Sequence, residues 1–479
     1  MTSSFLFYDL ETFGACFRRS RIAQFAAIRT DANLQQVDDE ISFFVKPADD
    51  LLPSPTATLI TGITPQHALE HGVNEADAFA RIHEQMMRPG TCTAGYNSLR
   101  FDDEFIRHGL FRNFYDPYER EWRGGNCRWD LLDVMRLAHA LRPDGMQWVY
   151  RDDGTPSFTL EGLANANGVR IGDAHEALSD VRALIGLGQR LRSAQPRLWD
   201  YCLKLRDKRF AGSLLDVAAL TPVLHVSQRF PASRLCAAPV IPLTMHPRIG
   251  NRVVVFDLAQ DPDALLSLDA DAIAERLYVR QDALPEGVER VALKEVHLNR
   301  CPALVAWDHL RPADFDRLRI DVARVERNAA RIRERAPEIA EKARRVFAAM
   351  PERAAADSDA SLYDGFLPDA DRLRFPDVRG TPAHQLHGVD FHFTDARLPE
   401  LLFRYRARNW PDSLVDDERE RWNAYLRERL ADTTRSEYTF DSFFDEIGRL
   451  RVERAGDARA AALLDAVELW GRNLHAELG

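Results

Sequence analysis

Residues 5–14, FLFYDLETFG, constrain the fold more than any other stretch of the chain. Side chains alternate across a strand, so Phe5 and Phe7 share one face while Leu6, Tyr8 and Leu10 fill the other. Neither is a solvent face, and the segment reads as a strand packed on both sides. Asp9 and Glu11 nevertheless fall on the Phe5 and Phe7 face. Two like charges roughly 7 Å apart in such a place repel each other and lose hydration, which is destabilising unless a partner compensates them. A divalent cation is such a partner, whereas the plainer reading is an exposed, solvated strand end.

Further along, strand-like segments alternate with helix-like ones from residue 5 to about 192: FAAIRTD, SFFVKP, NEADAFARIHEQMM, TCTAGYN and EALSDVRALIGLGQRLRS. That order predicts an α/β domain, with SAQPRLWD as its exit. Short β-branched runs follow between about 222 and 310, namely PVLHVS, NRVVVFDL, ERLYVR, VALKEVHLN and PALVAW, and predict a small, mostly β module. A helical stretch over about 312–349 leads to MPERAAADSDAS, which reads as a linker, and the remainder is helix-rich. With 479 residues, two to four domains are expected. No apolar run approaches a membrane span and no signal segment is seen, which places the protein in the cytoplasm. The six scattered cysteines form no C-x-x-C pair, so any metal is expected on oxygen ligands. A net charge of −11 excludes a protein that coats nucleic acid by charge over its whole surface, although not one with a local basic groove.

Two further acidic clusters join Asp9 and Glu11. GYNSLRFDDEFIRHGL carries Asp102, Asp103 and Glu104 where a strand passes into an amphipathic helix, and DAHEALSDVRALIGL carries His175 and Asp180 at the start of another. Four carboxylates suit two hard cations such as Mg²⁺ or Mn²⁺, and a cation pair suits phosphodiester hydrolysis with histidine as the base. The residues alone do not choose between Asp102 and Asp103. Asp130 and Asp133 in RWDLLDVMR read as helix-capping or surface carboxylates. Between Arg100 and Trp129, arginines interleave with aromatic residues in the manner of a single-strand binding surface. Phe101, Phe105 and Phe111 are expected in the core, and Tyr118, Trp122, Arg107 and Arg136 against the strand.

With these motifs in place, the chain resembles the DEDD exonucleases with a histidine base. KPADD, LITGITPQ, RNFYDPY, HPRIGNRVVVFDLA and LLFRYRARN extend the likeness to the bacterial exonuclease I family from end to end. The resemblance implies a ribonuclease H-like α/β exonuclease domain with a mixed sheet (1–193), an SH3-like β module with following helices (194–350) and a helical C-terminal domain (351–479). It implies a monomeric, Mg²⁺-dependent enzyme of DNA repair and recombination that degrades single-stranded DNA processively from 3′ to 5′, releasing 5′-mononucleotides. The implied metal ligands are Asp9, Glu11, Asp102 and Asp180, with His175 as base and Arg107, Tyr118, Trp122 and Arg136 against the DNA. Thr159 stands where a substrate-contacting arginine is expected. Arg142 and Tyr201 match part of a site for the acidic C-terminal tail of single-stranded DNA-binding protein, with Thr221 where a lysine is expected. The competing readings are another DEDD nuclease, acting on RNA or as a proofreading subunit, and a catalytically silent single-strand-binding protein.

Overall fold

β1 (Ser4–Thr12) forms as its alternating apolar pattern predicts, and all of its residues are buried or half-buried. It lies between β2 (Ile22–Thr30), antiparallel to it, and β4 (Thr91–Gly95), parallel to it, while β3 (Ile41–Phe44) pairs on the far side of β2. The order β3-β2-β1-β4 is therefore a mixed sheet. Leu6, Tyr8 and Leu10 pack with Phe25, Phe79, Ile82, Phe105 and Ile106, so the helices Glu75–Met87 and Asp102–Arg112 cover that face. Gly109 permits their close approach, since a Cβ there would lie 1.8 Å from the Phe79 ring. The ladder between β1 and β4 ends at Phe7 and Ala94, leaving Asp9 and Glu11 beyond it, opposite Ala26 and Gln24 of β2.

The computed structural model describes residues 4–172, 176–279, 283–348 and 356–478. They form two compact units, one of residues 1–127, 170–185 and 354–479, the other of 128–169 and 186–353. Among the described residues, no helix is long and apolar enough to cross a membrane.

The first unit also contains the C-terminal helices Leu398–Asn409, Asp416–Leu430, Phe440–Glu453 and Ala458–Leu478. Their core joins Trp422, Leu426, Phe443, Ile447 and Val467 to Leu52 from the N-terminal part of the chain. Beside it runs a buried ionic network. Asp50 accepts from Arg21 Nη2 at 3.1 Å and from Arg408 Nε at 2.9 Å. Arg408 also donates to Asp359, which accepts in addition from Arg404 Nη1 at 2.9 Å and from the Tyr425 hydroxyl at 3.1 Å.

In the second unit the β module is a five-stranded antiparallel sheet in the order Leu293–His297, Arg252–Asp257, Ala237–Met245, Val223–Val226, Ala303–Ala306. Two departures from the sequence reading have physical causes. ERLYVR, taken as strand-like, lies for the most part in the helix Ala270–Tyr278. Asp269 caps that helix by accepting from Ala272 N at 2.9 Å, and Ala270, Ile273, Ala274 and Leu277 face the core at helical spacing. Conversely, Ala237–Met245 escaped notice because Pro239 and Pro242 argue against an inner strand. The register with Arg252–Asp257 shifts beside Pro242, an irregularity of the kind that accommodates proline in a sheet. Of the linker read from MPERAAADSDAS, residues 350–355 fall outside the described residues, whereas the remainder is packed structure: Ser358–Tyr363 forms a 3₁₀ turn with Asp359 and Ser361 buried.

Candidate active site

Asp9 and Glu11 project from the end of β1 past the β4 ladder, and Asp180 comes from the first turn of the helix Ala177–Ala194. Carboxylate oxygens of these three residues lie within 4.8 Å of one another. Glu11 is buried, while Asp9 and Asp180 are half-buried. Burial, then the charges of Asp102, Glu11 and Asp180, hold the Asp9 carboxyl well above its ordinary range, opposed by Arg170. Burial, then Asp180, Asp102 and Glu176, push Glu11 up to about 8. A cluster of anions that disfavours its own ionisation is stabilised by a cation, and the donor set consists wholly of hard oxygens. The residues therefore fit a divalent metal site. Arg170 is hydrogen-bonded to Asp180, a contact the sequence did not signal.

Asp102 and Asp103 open the helix Asp102–Arg112, and the structure separates their roles. Asp103 Oδ1 accepts from the Tyr8 hydroxyl at 2.7 Å and from Arg120 Nη2 at 2.5 Å, so its carboxylate is engaged away from the cluster. Asp102, 4% exposed, is the largest charge acting on Asp9. His175 lies outside the described residues.

The segment from Arg100 to Trp129 is less of a binding surface than its composition suggests. Phe105 and Phe111 are core and Phe101 is partly buried, but Arg112, Arg120 and Trp129 are buried as well. Arg107, 5% exposed, donates to Glu121 at 2.7 and 2.9 Å, to Glu104 at 3.3 Å and to the Tyr363 hydroxyl at 3.1 Å. Its guanidinium carbon stands 5.4 Å from the Tyr118 ring centre, and Tyr118 is half-buried. Trp122, 64% exposed between two short 3₁₀ turns, is the exposed large aromatic ring of this segment.

In the second unit Arg136 and Thr159 line one cavity of about 300 Å³ together with Arg151, Phe158 and Gln228. Arg136 donates to Asp133 at 2.6 Å, and its guanidinium carbon stands 5.8 Å from the Phe158 ring centre. Thr159 caps the helix Leu160–Ala166 by accepting from Gly162 N at 3.3 Å. Asp130 likewise caps Leu131–Leu141, whereas Asp133 belongs to the buried pair with Arg136. Arg142 pairs with Asp314 at 2.7 Å, and the Tyr201 hydroxyl donates to Leu304 O at 2.8 Å.

A carboxylate cluster at the end of a central strand in a ribonuclease H-like mixed sheet defines a metal-dependent exonuclease. An exonuclease family model matches residues 6–187, an exonuclease I SH3-like domain 206–349 and an exonuclease I C-terminal domain 356–474. Exodeoxyribonuclease I of Escherichia coli is 45% identical over 98% of this chain and 97% of its own. The structure of a moderately thermophilic exonuclease I from Methylocaldum szegediense superposes with a TM-score of 0.94 at 46% identity, covering 98% of this chain and 99% of the other. The zinc-bound E. coli exonuclease I complex with single-stranded DNA has a TM-score of 0.94 at 42% identity, covering 99% and 100%. The chain belongs to the exonuclease I family.

Proposed function

We propose that this protein is a processive 3′→5′ exodeoxyribonuclease that hydrolyses single-stranded DNA to 5′-mononucleotides in the cytoplasm. The observation that carries this reading is the cluster of Asp9, Glu11 and Asp180, whose carboxylate oxygens lie within 4.8 Å of one another, with the charge of Asp102 also acting on Asp9 and Glu11. Mg²⁺ is the proposed ion and Mn²⁺ a substitute, with all four carboxylates as ligands. Bound divalent cations would supply positive charge and Lewis acidity for attack on the phosphodiester. The chain's own residues do the rest. His175, five residues before Asp180, takes the proton of the attacking water as its oxygen bonds to phosphorus; the phosphorus–O3′ bond breaks, the leaving O3′ takes up a proton from solvent, and the shortened strand gains a new 3′-hydroxyl. Trp122 and Tyr118 hold bases by stacking, and Arg136 meets a phosphate. Arg107, held beside Tyr118 by Glu121, Glu104 and the Tyr363 hydroxyl, is proposed against the DNA together with that ring. Arg151 takes the contact that Thr159 is too short to make.

For the acidic tail of single-stranded DNA-binding protein, Arg142 is supported by its surroundings. Arg142 and Arg311 share the carboxylate of Asp314, at 2.7 and 3.1 Å, with Asp144 also acting on Arg311, so that two guanidinium groups stand at a partly exposed place. Tyr201 is the proposed apolar neighbour, and the enzyme is proposed to act as a monomer.

The test uses end-labelled single-stranded DNA, duplex DNA and RNA with Mg²⁺ or EDTA. Stepwise loss from the 3′ end of single-stranded DNA, only with the ion, is expected. Equal cleavage of RNA, or none of any substrate, contradicts the reading. Trp122→Ala should weaken single-strand binding by about 1–3 kcal/mol with little change in melting temperature, measured by fluorescence anisotropy and thermal unfolding.

A further inference from the structure

Asp9 and Asp102 come from segments that no backbone ladder joins. The pairing of β1 with β4 stops at Phe7 and Ala94, one residue short of Tyr8, and Asp102 begins a helix beyond the turn that follows β4. What links the two is a side-chain bond between their immediate neighbours. The Tyr8 hydroxyl donates to Asp103 Oδ1 at 2.7 Å, and the same oxygen receives Arg120 Nη2 at 2.5 Å. Arg120 Nη1 also reaches Thr93 Oγ1 of β4 at 3.3 Å. Tyr8, Asp103 and Arg120 are each 1% exposed.

The placement avoids competition with the cluster. Tyr8 points to the opposite face of the strand from Asp9, and Asp103 lies about 100° around the helix from Asp102. Arg120 balances the charge of Asp103, so the link adds no net charge behind the site. Other buried arginine–carboxylate pairs of this unit, such as Arg112 with Glu75 at 2.7 Å, do not join the neighbours of two cluster carboxylates. Resting on the metal reading above, we propose that Tyr8, Asp103 and Arg120 are positioning residues that set the separation of Asp9 and Asp102 and thereby the affinity of the site for divalent cations.

Tyr8→Phe keeps the ring in the core and removes only the hydroxyl; Arg120→Lys keeps the charge and loses the fork. Mn²⁺ titration calorimetry on the full chain is the primary measurement. Tyr8→Phe should bind Mn²⁺ about 10–100-fold more weakly, the range typical for partners that orient a ligand, and Arg120→Lys should also bind more weakly. Cleavage by Tyr8→Phe should recover as Mn²⁺ is raised, while single-strand affinity measured in EDTA matches wild type. Loss of melting temperature accompanies removal of any buried hydrogen bond, so it is not the readout. Wild-type Mn²⁺ affinity in folded Tyr8→Phe overturns the proposal. Failure of the wild-type chain itself to bind Mn²⁺ overturns the metal reading first, and the two failures are distinguished by the wild-type titration alone.

Discussion

Asp50 and Asp359 are wholly buried in the same unit as Asp9 and Glu11, yet their acidity moves in the opposite direction. Burial raises a carboxyl in every case. At Asp50 it is overcome by Arg408, Arg21 and Arg429, and at Asp359 by Arg408, Arg404 and Arg21, which hold both below the usual range. At Asp9 and Glu11 the neighbours are other carboxylates, and Arg170 is too small a counterweight on Asp9. One set is compensated by the protein itself. The other awaits a cation from solution. Buried carboxylates in this unit are therefore compensated by arginine at Asp50 and Asp359 and made harder to ionise by one another at Asp9 and Glu11.

Removing one member from each set should separate them most sharply. Asp9→Ala or Asp180→Ala should abolish cleavage in single-turnover assays, and Asp9→Ala, which removes no arginine's partner, should leave the metal-free protein no less stable than metal-free wild type because repulsion is relieved. If either variant cleaves at the wild-type rate, the site is misassigned. Asp359→Ala should do the reverse. It removes the buried carboxylate that Arg404 and Arg408 share, leaving Arg408 with Asp50 and Arg404 with Asp357 and Glu400, and about 3–5 kcal/mol of stability should be lost in urea unfolding. A loss within error of zero would break the comparison from the other side.

Acidity offers a third contrast. Between the ordinary 4.5 of Glu11 and its folded value of about 8, the native state holds protons that the unfolded chain has released. Stability in EDTA should therefore fall as pH rises through that window, by up to about 1.4 kcal/mol per pH unit. Asp50 and Asp359 contribute nothing to this slope, since their stabilisation is lost only as pH falls below the carboxylate range. Glu11→Gln should flatten the slope, and an equal slope in that variant would assign the protons elsewhere. The smallest effect is expected at Arg170. Arg170→Gln removes a positive charge beside Asp180 and should tighten Mn²⁺ binding a few-fold, an effect on the order of 0.5–1 kcal/mol; weaker binding would mean that Arg170 supports the cluster instead of opposing it.

Local pattern accounts for most of what was legible beforehand. β1, its flanking strands, the helix carrying Asp180 and the β module all follow from alternation or helical spacing in contiguous residues. The errors arose where one local signal outweighed another: ERLYVR is rich in strand-forming side chains but completes a capped amphipathic helix, and two prolines masked Ala237–Met245. Arginine proved the hardest residue to read. Within Arg100–Trp129, whose interleaved arginines read as a binding surface, Arg112 and Arg120 are buried partners of Glu75 and Asp103, a distinction that no local pattern carries.

The sequence by itself determined the class of this protein, because Asp9 and Glu11 on an otherwise apolar strand, Asp102 or Asp103 after β4 and Asp180 on an amphipathic helix are each set by their own neighbours. The engagement of Asp103 by Tyr8 and Arg120, the burial of Arg120 and Arg107, and the division of carboxylates into compensated and uncompensated sets were decided only by the tertiary structure. Adjacent residues of identical chemistry look the same along the chain. They differ once folding turns Asp103 toward a guanidinium contributed from seventeen residues away and sets Asp102 where its charge acts on Asp9.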